Sequence, residues 1–428
     1  MTATDAGSVT TADPANRFSR PQRLAIQALV LLSLLSLTRM WTGFDNLTSS
    51  GTIGAALRLT VPILLAGLAA LWSDRVGVIN IGIEGMMILG TWFGAYGAWQ
   101  FDPWIGLVFA IIGGMIGGLI HAIGTIRFGI DQVISGVVIN LLALSGGRFL
   151  SELAFVGEVQ GGISQSPPQK RGIPIIDIPF LAGGDLFGWD TPDMFGWLEE
   201  RQWFLLGDLA GIGRGLTGGV SMASLLALAM VPLSAWVLWR TAFGLRMRSS
   251  GENPWAGESL GVNINRVRYQ ALVISGGLAG LGGGFLSIVS SSFYRQGQTA
   301  GRGFIGLATA IFGNWTPSGI LGGAALFGYS EGIKLVAGGS LTGLFLFVAL
   351  IGLTVTLSSL VLRKQQRALI AAAVGVVAWV GYLTIAEVPE SLTQGLPYLI
   401  TLVVLATASQ RLRPPSANGV PYRPGEAH

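Results

Sequence analysis

Long apolar runs follow one another along this chain, as in "LRLTVPILLAGLAALW" and "LFLFVALIGLTVTLSSLVL". A helix of about 20 residues crosses the ~30 Å hydrocarbon core of a bilayer, and only a backbone that satisfies its own hydrogen bonds can lie there. The runs are continuous and lack the apolar–polar alternation of a spanning β-barrel. Charged residues make up 11% of the chain, against about 25% in a soluble domain, too few to cover a globular surface. The expected fold is an all-α polytopic membrane protein with roughly 10–12 transmembrane helices.

Spans are expected at residues 24–41, 52–72, 84–101, 104–126, 131–150, 219–239, 270–290, 303–315, 317–338, 343–362, 368–386 and 392–409. Residues 303–315 are short for a full crossing, so that piece is re-entrant or part of a broken helix. Glycine occurs 64 times in 428 residues. In lipid, small residues let helix backbones approach closely, so "GGMIGG" (113–118) and "GGLAGLGGG" (276–284) predict tight helix packing. Residues 1–22 form a polar, disordered tail without a small-residue cleavage site. Residues 23–410 form one membrane domain, and 411–428 a second tail.

Basic clusters lie at Arg17–Arg23, Arg240–Arg248 with Arg266–Arg268, Arg363–Arg367 and Arg411–Arg413. Twelve crossings that start inside place all of them in the cytoplasm, together with both termini. The same count puts residues 151–218, rich in Pro, Gly, Asp and Trp, outside as a loop with an interfacial helix.

Several polar residues interrupt the apolar pattern. In "LWSDRVGVINIGIEGMMILG" (71–90), Asp74 and Arg75 either close a helix at the membrane surface or belong to a site. Asn80 and Glu84 sit among Val, Ile and Met, where a polar group is costly and faces a cavity or a partner. Gly77, Gly82 and Gly85 predict an unwound or re-entrant element entering the third span. The competing reading is that Glu84 snorkels at an interface. Asn140 either bonds a neighbouring helix or faces a pathway, Arg58 reaches the outer interface, and Glu331 and Lys334 share a helix face and can pair. Asn80, Glu84 and Asn140 are the candidates for lining a solute pathway.

No catalytic residues and no cofactor are expected, because no acid–base or nucleophile constellation occurs. The chain has no Cys, and His121 and His428 belong to no metal-ligand cluster. "GRGFIG" (301–306) has dinucleotide-loop spacing but stands between membrane segments instead of after a strand. No phosphate-binding P-loop sequence is present. A net charge of +4 on a chain of this composition is no nucleic-acid signature.

One polar insert stands out. "GENPWAGESLGVNINRVRY" (251–269) lies between an apolar run ending at Trp239 and another beginning at Ala271. Asn253 suits an N-cap, Pro254 a first helical turn and Gly261 a helix end. The insert is a short surface helix framed by Arg, either an interfacial connector or a docking element for a soluble partner.

The stretch "FGLRMRSSGENPWAGESLGVNINRVRYQALVISGGLAGLGGGFLS" resembles the cytoplasmic loop and following helix of ABC-importer permease subunits, in the family of branched-chain amino acid, ribose and nucleoside permeases. "LWSDRVGVINIGIEGMMILG", "GRGFIGLATAIFGNWTPSGILGGAALFG" and "LPYLITLVVLA" (396–406) are similar to further parts of that family, and "NIGIEGMM" with "GENPWAGESLGVN" looks most like its nucleoside-type subgroup. The resemblance implies a permease subunit in a bacterial cytoplasmic membrane. It implies a second permease subunit, identical or different, separate ABC ATPase subunits and an extracytoplasmic substrate-binding lipoprotein, all working in membrane lipid. It further implies that Gly251–Asn263 carries the coupling helix, with Gly251, Glu252, Asn253, Pro254, Gly261, Asn263 and Arg266 as ATPase-coupling residues. Residues 339–390, with two apparent extra spans, and the long 151–218 segment depart from the family pattern. The rival classes are an ion-gradient-driven secondary transporter, for which only Glu84 suits ion coupling, and a non-transporting membrane scaffold.

Overall fold

The computed structural model describes residues 20–186, 188–336, 342–361, 363–385, 395 and 412–425. Five long helices come first: α1 (Arg20–Thr42), α2 (Ser50–Asp74), α3 (Ile83–Gln100), α4 (Pro103–Ala122) and α5 (Gln132–Ala154). Residues 155–221 then hold the pairs β1 (Ile175–Ile176) with β4 (Val220–Ser221) and β2 (Asp185–Leu186) with β3 (Trp189–Asp190), and the helices α6 (Met194–Glu200) and α7 (Leu206–Thr217). After them come α8 (Met222–Arg240), the short α9 (Ala242–Glu252) and α10 (Pro254–Ser259), and α11 (Ile264–Phe285). The chain continues through α12 (Arg302–Phe312), α13 (Pro317–Val336), α14 (Thr342–Val361) and α15 (Gln365–Thr384).

Eight helical stretches among the described residues are long and apolar enough to cross a membrane. The protein is a multi-pass, all-α membrane protein. Large apolar side chains stay exposed along its flanks, among them Leu141 and Leu142 of α5, Leu353 and Leu357 of α14 and Val376 and Val377 of α15. Lipid is the solvent that such a surface requires. α2 and α11 are buried over most of their length and form the centre.

The glycines explain how the centre closes. A Cβ added at Gly280 of α11 would stand 2.8 Å from Gly114 Cα of α4, so two backbones meet where any side chain would part them. α3 packs against the same pair of helices. Aromatic rings fill the space at the other end of α3: Trp92 stacks on Tyr96 with centroids 5.4 Å apart, and Phe155 lies 5.3 Å from Trp92.

The α2 N-terminus lies beside residues 155–221, which define one face: Ser50 N donates to Glu199 Oε1 at 2.8 Å. On this loop face Asp208 accepts from Ser36 and Thr48 and pairs with Arg39 at 3.3 Å, which ties α1 to α7. The opposite face carries α9, α10 and the C-terminal tail.

Several expectations need correction. Residues 151–218 are not a loop with one interfacial helix; they hold α6, α7 and most of two small sheets. The basic flank before residue 251 is helical, because Thr241 Oγ1 accepts from Gly244 N at 3.1 Å and starts α9. α11 begins at Ile264 instead of near 270, because the Asn263 side chain caps it. Glu331 pairs with Arg302 at 2.8 Å across two helices, not with Lys334 on its own helix. The short 303–315 piece is α12, whose 11 residues span only about half of the hydrocarbon core. Of the expected tail 1–22, residues 20–22 already belong to α1, and residues 1–19 lie outside the described residues, as does, except for residue 395, the expected span 392–409.

Candidate functional site

The membrane helices are interrupted between α2 and α3. α2 ends at Asp74, and Gly77 adopts φ +86°, a conformation that side chains with a Cβ rarely hold. Residues 78–80 then form no regular structure, and α3 starts at Ile83. Non-helical backbone at membrane depth is tolerated only where protein or water satisfies its polar groups. Side chains of α4 and α5 do so here, and α11 holds the Asn80 side chain.

Gln132 Oε1 accepts from Ile79 N at 2.7 Å. His121 Nε2 lies 3.1 Å from Ile79 O. A carbonyl only accepts, so the proton is on Nε2. Asn140 Nδ2 donates to Ile81 O at 3.1 Å, and its Oδ1 accepts from Gly85 N at 2.7 Å. Asn80 Nδ2 donates to Ser275 Oγ at 3.1 Å, and Ser275 Oγ in turn donates to Ala69 O. Asn80 is fully buried, and its Oδ1 has no partner.

Glu84 closes the break from the other side. Its Oε1 accepts from Gly301 N at 3.0 Å and its Oε2 from Gly303 N at 2.7 Å. These amides belong to the first turn of α12, where unpaired N–H groups and the helix dipole favour a carboxylate. The charge that looked misplaced in the sequence is the cap of a half-length helix 217 residues away. Arg302 in the same turn bonds Glu331 of α13. Thus Asn80, Glu84 and Asn140 are brought together around one break; Asn140 and Glu84 engage both polar atoms of their side chains, and Asn80 engages its amide nitrogen alone.

α10 sits at the surface below this break. Asn253 Oδ1 accepts from Ala256 N at 3.0 Å, Pro254 occupies the first helical position, and Gly261 has φ +84° with open space where a Cβ would stand. Asn263 Oδ1 accepts from Arg266 N at 3.0 Å and opens α11. Glu252, Asn253, Gly261, Asn263 and Arg266 are exposed, whereas Gly251 and Pro254 are buried.

Burial of Gly251 has a local cause. A Cβ there would stand 2.9 Å from the Arg75 carbonyl carbon, so the α9–α10 junction lies directly on the segment that leads into the break. Beside it Ser250 Oγ donates to Val76 O at 2.9 Å, and Arg268 Nε donates to Ser250 Oγ at 3.3 Å. Arg75 reaches the other way and donates from Nη2 to Trp315 O at 2.6 Å in the α12–α13 turn. Trp315 Nε1 donates to Asp74 Oδ2 at 2.6 Å. Sequence reasoning found α10 and the break but missed Trp315, Ser250 and Arg268, which join them.

No group of His, Cys, Asp and Glu suited to a metal ion occurs among the described residues.

Known proteins resemble this chain over most of its length. The family model described as branched-chain amino acid transport system / permease component matches residues 52–357. The guanosine ABC transporter permease protein NupQ of Bacillus subtilis is 30% identical over 381 residues, covering 87% of this chain and 97% of that protein. The nucleoside ABC transporter permease protein NupC of Lactococcus lactis is 28% identical over 372 residues, 85% of this chain and 93% of the relative. A putative glucose ABC transporter permease protein of Haloferax volcanii is 32% identical over 288 residues, 67% and 78% of the two chains. No solved structure matches.

Proposed function

This chain belongs to the family of branched-chain amino acid transport system permease components, and on that premise we propose that it forms part of the pathway of an ATP-driven importer for a nucleoside or a related sugar-containing solute. It is a transport subunit and not an enzyme; in ABC transporters ATP is hydrolysed on a separate subunit. Guanosine, nucleoside and glucose permeases among its relatives support that solute class.

The observation that carries the reading is the contact of the α9–α10 junction with the lead into the break. Ser250 and Gly251 lie on Val76 and Arg75, so a partner that displaces α10 acts on the segment that ends at Asn80 and Glu84. We assign the ATPase-coupling role to Gly251, Glu252, Asn253, Pro254, Gly261, Asn263 and Arg266, and a part in pathway opening to Asn80, Glu84 and Asn140. The α10 face, with its Arg-rich α9 and α11 ends, is the cytoplasmic one, and both termini share it. The loop face receives the substrate-binding lipoprotein. A second permease subunit completes the pathway. Gradient-driven transport is less favoured, because an ion-coupling carboxylate must exchange its ion, and both Glu84 oxygens are taken by backbone amides.

Co-purification tests the reading. The chain is expressed with its neighbouring ABC ATPase, permease and lipoprotein genes and captured in mild detergent, beside a variant with Pro254→Leu and Gly261→Leu. The ATPase is expected with the native chain and at least tenfold less with the variant, whose α10 has lost both defined ends. Recovery of no ATPase with the native chain sinks the proposal, and uptake that follows an imposed proton or sodium gradient then becomes the leading mechanism.

A further inference from the structure

The C-terminal tail is polar, Pro- and Gly-containing, and forms no regular helix or strand over residues 412–425. It is nonetheless packed. Arg413 N donates to Asn314 Oδ1 at 2.8 Å in the α12–α13 turn. Ser416 donates from N and Oγ to Glu252 Oε2 at 3.3 and 3.0 Å, and Ala417 N donates to Gly251 O at 2.8 Å. Gly419 N donates to Gly77 O at 3.3 Å, in the lead into the break, and Asn418 lies beside the Asp74 carboxylate. Pro415 and Ala417 are buried.

Tyr422 completes the attachment. Its ring meets Trp255 of α10 edge-on with centroids 6.1 Å apart, and the Arg268 guanidinium lies 5.4 Å from the Tyr422 centroid. Burial, with the Glu258 carboxylate beside it, pushes the phenol up to about 12. One short segment therefore touches α10, the lead and the α12–α13 turn.

α10 needs such a brace. It has six residues, two of them buried, and an isolated helix shorter than about 12 residues is marginal even in favourable sequences. Without an anchor, a displacement imposed on α10 is absorbed by its flanking turns. The α12–α13 turn also needs holding: Asn314 and Trp315 both have φ +51°, and such non-glycine conformations persist only when their surroundings fix them.

We propose that residues 412–424 are a positioning element for coupling, which clamps α10 to the Gly77 lead and to the Asn314 turn so that movement of α10 reaches the intramembrane break. The proposal rests on α10 being the element that receives the ATPase. The clamp acts through the Tyr422 ring and the Ser416–Gly419 backbone turn, and it passes on force without touching solute.

The test uses the complete transporter, with its ATPase, second permease and binding protein, reconstituted in liposomes. Tyr422→Ala removes both ring contacts, Tyr422→Phe keeps them and loses only the hydroxyl, and deletion of residues 416–428 removes the clamp. Three quantities are read: ATPase recovered on the permease, ATP hydrolysed, and nucleoside taken up per ATP. Tyr422→Ala and the deletion are expected to retain the ATPase and its hydrolysis while uptake per ATP falls about tenfold, and Tyr422→Phe to stay within about twofold of the native chain. Unchanged uptake per ATP in both the Ala variant and the deletion overturns the clamp while leaving α10 as the docking element. Loss of ATPase in proportion to uptake also overturns it, because the tail would then only stabilise the fold. If the native chain recovers no ATPase, the coupling assignment of α10 and the clamp fall together.

Discussion

Removing the Glu84 carboxylate should release the first turn of α12, and the structure fixes how far. Glu84→Ala leaves the N–H groups of Gly301 and Gly303 without their acceptor. Each buried orphan costs about 1–3 kcal/mol, and loss of a charge at the helix N-terminus adds up to about 1 kcal/mol. Water entering the vacated space recovers part of this, so the local cost is set at about 3 kcal/mol. Glu84→Gln keeps one acceptor oxygen but turns its amide towards the second N–H, so about half of that cost remains.

The chain contains no Cys, so one engineered thiol reports without background. Thr299 precedes α12 and is 2% exposed, which makes Thr299→Cys a near-isosteric probe that a polar maleimide reaches only when the turn opens. When opening and closing are fast relative to labelling, the labelling rate follows the open population. A cost of about 3 kcal/mol then raises it roughly 100-fold, and the Gln variant raises it about tenfold. The measurement is the labelling rate of purified protein in lipid nanodiscs, in the order Ala, Gln, native. If all three label within a factor of two, Glu84 does not hold α12 and its carboxylate must face solute or ions instead.

Two further outcomes follow from the same contacts. Gly280→Leu should cost more than about 3 kcal/mol through overpacking against the α4 backbone and abolish monodisperse protein in size-exclusion chromatography, while Gly322→Leu, with open space at its Cβ position, should behave like the native chain; similar behaviour of the two would refute the glycine seam. A double-mutant cycle of Arg302→Gln and Glu331→Gln, read by the same thiol, should give a coupling of about 1 kcal/mol, because the two side chains are 16% and 15% exposed and so neither free in water nor dry. A coupling below about 0.3 kcal/mol would show the pair to be incidental.

Much of this architecture was legible because membrane helices obey a local rule. Length and hydropathy predicted most of the helices, and the glycine runs at 113–118 and 276–284 predicted tight helix packing, which takes the form of a seam between α4 and α11. The ends of α10 were equally local, since Asn253, Pro254 and Gly261 each carry their own backbone preference into the fold. α9 was not legible. Its Arg- and Ser-rich sequence has no strong apolar periodicity, and its place depends on Ser250 and Gly251 meeting the Arg75–Gly77 turn.

The site was legible in its parts but not in its pairings. Glycines and misplaced polar groups marked the break at residues 75–84, yet the sequence offered no means of telling a carboxylate that faces solute from one that caps a helix. That distinction lies in Gly301 and Gly303, 217 and 219 residues from Glu84. Their own sequence signal, "GRGFIG", lacks the preceding strand of a dinucleotide loop, yet its glycines serve a helix N-terminus: Gly301 turns the chain at φ +78°, and Gly303 leaves room for Glu84 against the backbone. The tail shows the same limit. Nothing in "RPPSANGVPYRPG" distinguishes a solvated terminus from a packed one except a lone Tyr, and its partners Trp255, Gly251 and Gly77 lie more than 150 residues upstream. A polar group in lipid must find a partner, so its presence predicts that a partner exists; which partner it finds is decided by packing between helices that no local window contains.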